Sequence, residues 1–286
     1  MEKYGLLRER LASSDLLQLA VPEAATRPEL ERVHDRAYVN RVFEGRLTPD
    51  EVRKIGFPWS LQLVERSKRS VGGTIAAARS ALDDGVSANL AGGTHHAFAD
   101  RGEGFCVFND VAVALEAIRA EGRAERFAVL DLDVHQGDGT ADIFRSDEAV
   151  FTLSVHGENN FPFRKSSSDL DVGLPDGVGD SEFLAAVERG VQQALSGAPQ
   201  LAFFVAGADP FEGDRLGRLS VSKEGLEQRD RLVFDLCRRT DTAVAIVMSG
   251  GYARDIQDTV DIHEATVLAA AGTAERVSLG RRSPLA

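Results

Sequence analysis

The sequence predicts an α/β fold, a single-domain three-layer αβα arrangement around a mostly parallel central sheet. Three observations carry that expectation. From residue 85 onward, strand-like and helix-like runs alternate, the pattern of a parallel sheet covered on both faces. The run LAFFVAGA (201–208) is apolar without interruption, as a strand buried on both faces requires. The 286 residues, 43% hydrophobic and 27% charged, contain no internal repeat or long linker, so residues 1–286 are expected to share one large core.

Taken in order, residues 3–12 and 26–43 carry apolar positions at helical spacing, among them Leu30, Val33, Ala37 and Val42, with Pro22 and Pro28 as punctuation. Residues 60–84 read as one long helix rich in Ala and Arg. Residues 87–93 are a short strand entering a Gly-rich turn, and 109–121 a helix for which Asn109 is the N-cap. Strands follow at 126–134, 149–155, 201–208 and 242–251, with helices at 138–145, 181–195, 222–239 and 253–271. The segment 156–181 is expected to be irregular; a loop of that length inside a compact domain is usually functional or mobile.

Lys and Arg number 33 against 45 Asp and Glu, a net charge of −12. That balance opposes non-specific nucleic-acid binding and is compatible with cationic substrates. No apolar stretch reaches the roughly 18 residues of a membrane span. The charged start MEKYGLLRERL lacks the apolar core of a signal peptide. Cys106 and Cys237 form neither a CxxC pair nor a disulfide framework, so a reducing, cytoplasmic location is expected, with no direct nucleic-acid or membrane partner.

Ligands of open α/β sheets bind beyond the carboxyl ends of the strands. Those ends here read Gly92-Gly93-Thr94-His95-His96, Asp131-Leu132-Asp133-Val134-His135-Gln136-Gly137-Asp138, Ser154-Val155-His156, Gly207-Ala208-Asp209 and Ser249-Gly250-Gly251-Tyr252. Four of the six histidines and one of the three tyrosines collect there. Asp131, Asp133 and His135, spaced by two, point to one side of an extended chain while Leu132 and Val134 point into the core. Two carboxylates and an imidazole with an open position suit a catalytic divalent metal such as zinc, and Asp209 can complete the set. A lone Asp-x-His is more often a capped turn; the convergence of strand ends reverses that reading. His95 and His96 follow a Gly-Gly turn and suit proton transfer near neutral pH. Asp131 and Asp138 can orient those imidazoles, and the Tyr252 phenol can donate to a developing oxyanion.

Together the segments GGTHHAFADRGEGFCVFND (92–110), LDLDVHQGDGT (130–140), LSVHGENNFPF (153–163), GADPFEGDRLG (207–217) and SGGY (249–252) resemble the histone deacetylase family of the arginase–deacetylase fold. The resemblance runs in order from about residue 30 to 270. Gln136 after the histidine, and the wording of 207–217, look more like the class IV branch and its bacterial relatives. The resemblance implies a hydrolase of N-acyl-lysine or a related small N-acyl amine. It implies one zinc per chain on Asp133, His135 and Asp209. His96 becomes general base and then acid, beside Asp138; His95, beside Asp131, acts electrostatically; Tyr252 polarises the carbonyl. Gly104 and Phe105 line the acyl-lysine channel, with Phe161 or Phe163 opposite. A structural K+ or Na+ ion is implied on Asp131, Ser154 and the main chain of Asp133, His135 and Val155, and an outer one at Phe144, Asp147 and Val150. Family relatives usually carry a first strand ahead of the segment matching EKYGLLRERL; this chain begins inside that segment, so either its start lies late in the family pattern or a first edge strand is missing.

Two rival readings differ in kind. A binuclear manganese hydrolase of the arginase type needs further carboxylates, yet Gly137 follows His135 at two removed, and Gly207 and Phe211 flank Asp209. A catalytically inactive acyl-binding or scaffold protein would share the fold but not the chemistry.

Overall fold

The computed structural model describes residues 2–281; Met1 and residues 282–286, which the sequence reading assigns to the same domain, lie outside the described residues. Six strands form one sheet in the order β1-β6-β5-β2-β3-β4, and every pairing is parallel. The strands are β1 (Val86–Asn89), β2 (Phe127–Asp131), β3 (Val150–Gly157), β4 (Leu170–Leu174), β5 (Leu201–Val205) and β6 (Ala243–Val247). The helices are α1 (Glu2–Leu11), α2 (Arg27–Leu30), α3 (Arg36–Phe43), α4 (Pro49–Ile55), α5 (Leu61–Asp84), α6 (Asp110–Ala120), α7 (Asp138–Phe144), α8 (Asp180–Leu195), α9 (Lys223–Arg239) and α10 (Ile256–Arg281).

The central strands divide their side chains between two cores by strict alternation. Ala128, Leu130, Ala202, Phe204, Val244 and Ile246 join the core under α1, α8, α9 and α10. Phe127, Val129, Leu201, Phe203, Ala245 and Val247 join the core under α2 to α6. Burial on both faces explains why these strands read as continuous apolar runs. The chain leaves β2 for β3 and β4 on one side, then returns to β5 on the other. The carboxyl ends of β2 and β5 therefore flank a switch point, where open α/β sheets form their ligand crevice.

Four differences from the sequence reading have physical reasons. The strands after residues 126, 201 and 242 end early, at Asp131, Val205 and Val247, because the residues beyond them leave the ladder to build loops. The expected helix over 26–43 is two helices. Thr26 and Glu29 close a capping box on α2, and the chain then turns to bury His34, whose ring meets Phe98 O and Asn109 N at 3.0 Å each. Helix α4, unassigned from sequence, is bounded by the Thr48–Glu51 capping box and by Gly56 at φ 81. The segment 156–181 contains β4, a half-exposed edge strand whose Asp171 and Gly173 hide its pattern.

Candidate active site

The Gly92-Gly93 turn beyond β1 is anchored by Asp110, the first residue of α6, which accepts from Gly93 N at 3.0 Å and Thr94 N at 2.7 Å. Gly93 lies at φ 77, and a Cβ there would come within 2.4 Å of Ser249 Cβ, so only glycine lets the two strand ends meet. The turn delivers His95 and His96 into the crevice, both buried, with ring centroids 4.1 Å apart.

Each imidazole has a carboxylate behind it. His95 Nδ1 lies 2.6 Å from Asp131 Oδ2, and His96 Nδ1 lies 2.7 Å from Asp138 Oδ1. The two rings are tuned apart. Burial alone would push His95 down, but Asp131 and Asp133 outweigh it and hold the ring up at about 9. His96 is pushed well below the ordinary histidine range by burial and by the neighbouring His95 and His135. Asp138 is raised to about 6 by burial, against the pull of His95.

Asp133 and His135 lie in the loop after β2 rather than on the strand, while Leu132 and Val134 still turn into the core. One ligand atom from each of Asp133, His135 and Asp209 lies within 4.8 Å of the others, and this is the one such cluster among the described residues. His135 Nδ1 sits 3.0 Å from Asp133 Oδ1 and 3.2 Å from Asp209 Oδ2. The carboxylates are held from behind. Asp133 Oδ2 accepts from Ser249 Oγ at 2.8 Å and Gly250 N at 2.9 Å, and Asp209 Oδ1 accepts from Val134 N at 2.9 Å. Apart from its approach to His135 Nδ1 at 3.2 Å, Asp209 Oδ2 is buried with no hydrogen-bond partner. Despite burial, His95 and His135 hold Asp133 well below the usual carboxylate range, whereas burial and Asp133 push Asp209 up to about 6. An orphaned buried carboxylate oxygen, beside a second carboxylate and an imidazole, fits a divalent cation.

Tyr252 is placed by its main chain: Tyr252 N donates to Asp214 Oδ2 at 2.6 Å, and Tyr252 O accepts from Arg215 Nε at 3.0 Å. Lys3 of α1, which nothing in the sequence marks, reaches the same turn. Its Nζ donates to Ser249 O at 2.9 Å and Gly251 O at 3.3 Å, and lies 5.3 Å from the Tyr252 ring centroid. Burial pushes this ammonium down to about 8, against the pull of Asp209, Asp133 and Asp214. A lysine on a charged amphipathic helix reads as surface, so only the docking of α1 on α10 discloses it; Arg10 makes that docking through Asp261 and Glu264.

At the mouth, the last carbonyls of α4 position Gly104 and Phe105: Lys54 O accepts from Gly104 N at 3.1 Å and Ile55 O from Phe105 N at 2.9 Å. Phe105 is held at φ 68, a strained backbone for a side-chain-bearing residue; it is 44% exposed, and its ring lies 6.0 Å from that of Tyr252. The Phe161 ring packs edge-on to His96 at 4.9 Å, while Phe163 is 87% exposed. Of the two phenylalanines left open by the sequence, Phe161 is the one against the histidines. Its turn is held by Lys165, which donates to Asn160 O and Pro162 O at 2.6 and 2.7 Å. Gln136, fully buried, ties the same segment down through Ser166 and Asp171. Cys106 is buried with its thiol pushed far up by burial, as suits a packing residue.

The β2–β3 register sets Asp131 beside Ser154, two of the residues expected at an inner monovalent ion. At the expected outer position, Phe144 O and Asp147 O already accept turn hydrogen bonds from Asp147 N and Val150 N.

A family model for the histone deacetylase domain matches residues 1–267. An uncharacterised protein of Picosynechococcus sp. is 46% identical over 267 residues, covering 92% of this chain and 89% of its own length. Histone deacetylase 2 of Arabidopsis thaliana is 30% identical over 278 residues, covering 91% of this chain and 71% of its own. A crystal structure of an HDAC homologue complexed with SAHA is similar at a TM-score of 0.81 and 25% identity, over 97% of this chain and 82% of that one.

Proposed function

Because the chain belongs to the histone deacetylase family, we propose that it is a zinc-dependent amidohydrolase that cleaves the amide of an N-acyl-lysine or related small N-acyl amine. One observation carries this reading: two His–Asp pairs of opposite tuning stand beside a buried Asp133–His135–Asp209 cluster at the switch point of the sheet.

Asp133, His135 and Asp209 would hold the ion, which when bound lowers the pKa of water and polarises the amide carbonyl. His96, kept neutral by its surroundings, has Nδ1 engaged by Asp138, which leaves Nε2 to take the proton of the attacking water. His95, raised above the ordinary histidine range by Asp131 and Asp133, offsets the negative charge that develops. The Tyr252 hydroxyl donates to the developing oxyanion, on a turn braced by Asp214 and Lys3. His96 Nε2 then gives its proton to the leaving amine, so the products are a carboxylate and a free amine. Phe105 and Phe161 form the apolar walls past which the acyl-bearing chain enters. The inner K+ or Na+ site at Asp131 and Ser154 belongs to the same proposal, as does cytoplasmic residence, supported by two free buried cysteines. The inactive-scaffold reading is not favoured, since every expected catalytic position is occupied by the residue the chemistry needs.

The test is bound zinc measured together with hydrolysis of an acetyl-lysine peptide, a long-chain acyl-lysine peptide and an acetylated polyamine. About one zinc per chain with turnover of any of the three is expected, and the ratio sets the acyl and carrier preference. A folded sample with neither zinc nor turnover would overturn the reading.

A further inference from the structure

Arg229 is the largest fully buried side chain of the described residues, at 0% exposure, and it lies on α9 rather than at the crevice. Its Nε donates to Asp230 Oδ1 at 2.8 Å, and Nη2 pairs with the same oxygen at 2.8 Å. Asp230 Oδ2 in turn accepts from Thr266 Oγ1 of α10 at 2.6 Å. Taking two charges out of water costs several kcal/mol per ion, and well-packed apolar replacements of such pairs are often neutral or stabilising. Fold stability is therefore a weak reason for the pair to stand here.

Its remaining donor supplies a better one. Arg229 Nη1 donates to Gly207 O at 2.6 Å and approaches Leu132 O at 3.5 Å. Leu132 lies between Asp131 and Asp133, and Gly207 lies two residues before Asp209. One guanidinium thus spans the two loops that bring Asp133 and His135 from β2 and Asp209 from β5. Gly207 also touches the carboxylates themselves: an atom at its Cβ position would be 2.6 Å from Asp133 Oδ2 and 2.8 Å from Asp209 Oδ1.

We infer that the Arg229–Asp230 pair is a positioning device for the metal centre, fixing the Gly207 and Leu132 carbonyls so that Asp133, His135 and Asp209 stand ready for a divalent cation. This rests on the reading of those three residues as metal ligands. The planar guanidinium suits the task, because one rigid fork serves the carboxylate and the backbone oxygen at once. The pair acts through the ligands and touches no reacting atom.

The experiment compares the wild-type chain with the double variant Arg229→Met/Asp230→Leu. Apo protein is titrated with Zn2+ against a chromophoric chelator, its melting temperature is measured, and the Co2+ form is examined by visible absorption. Thr266 Oγ1 keeps a partner in that variant, since it also reaches Ile262 O at 3.1 Å. The expected result is a folded apo protein, Zn2+ affinity weaker by about 10–100-fold, and an altered Co2+ spectrum. Wild-type Zn2+ affinity and an unchanged spectrum in the folded variant overturn the inference. If the double variant does not fold, Arg229→Lys decides: it keeps the charge beside Asp230 but lacks the fork, so a Zn2+ affinity at least about tenfold weaker is expected and an unchanged one overturns. Absence of Zn2+ uptake by the wild-type chain removes the ligand reading itself, and this inference with it.

Discussion

The ammonium of Lys3 donates to the main-chain oxygen of Ser249 at 2.9 Å, joining residues 246 positions apart. The contact ties α1 to the turn that carries Tyr252. Lys3→Met removes the donor and leaves the Ser249 and Gly251 carbonyls facing an apolar side chain. Charge-assisted hydrogen bonds contribute about 1.5–3 kcal/mol, and about 1.4 kcal/mol is tenfold in rate. The expected outcome is kcat lowered at least about tenfold with zinc content unchanged. A Lys3→Met enzyme with wild-type kcat would show that the turn holds itself.

Tyr252 and His96 are assigned to the reaction and not to the ion. Tyr252→Phe should keep its zinc and lose roughly 2.7–4 kcal/mol of transition-state stabilisation, the range for removing one oxyanion donor. His96→Ala should likewise keep zinc and lose turnover. Metal analysis beside kcat/KM separates these outcomes from loss of the site, and near-normal turnover of either variant would remove the assignment.

Asp209 and Gly250 are expected to behave in the opposite way. Asp209→Ala should fail to retain zinc in a folded chain. Gly250→Ala should do the same without altering any ligand, because a Cβ at Gly250 would fall 1.8 Å from Asp209 Oδ2 and 2.6 Å from Asp133 Oδ2. Stoichiometric zinc in a folded Gly250→Ala protein would mean that the two carboxylates can move apart and still ligate.

His34 makes stability depend on pH. Its Nδ1 lies 3.0 Å from Phe98 O and its Nε2 accepts from Asn109 N at 3.0 Å, which requires the neutral ring with the proton on Nδ1. Burial pushes its pKa down from 6.5 to about 4. Above pH 6.5 both folded and unfolded chains leave the ring neutral, and the contribution is whole. Between about 6.5 and 4 the unfolded chain takes up a proton that the folded chain refuses, so stability falls with falling pH, and below about 4 the loss levels off. The full loss is on the order of 3 kcal/mol. Urea unfolding at pH 7 and pH 4.5 should show a smaller pH-dependent loss for His34→Gln than for wild type. Equal losses would place the acid sensitivity elsewhere.

The sequence by itself determined most of the candidate site. Strands buried on both faces are recorded locally as apolar runs, and the turns beyond them carry Asp131, Asp133, His135, Asp138, Asp209, His95, His96 and Tyr252 in a form that can be read before any fold is known. The order of the strands, and hence the meeting of β2 and β5 at one crevice, was decided only in three dimensions. So was the edge strand β4, whose half-exposed residues leave no apolar run. The choice of Phe161 over Phe163 beside His96 depends on how one loop is tied down by Gln136 and Lys165, not on either residue's type. Lys3 and Arg229 are the strongest cases. Each is a charge on a helix that local pattern assigns to the surface, and each is buried against backbone oxygens of a distant strand end. Local pattern records how much of a residue is buried in its own element. It does not record which backbone oxygen, far away in sequence, a buried charge must find to stay there.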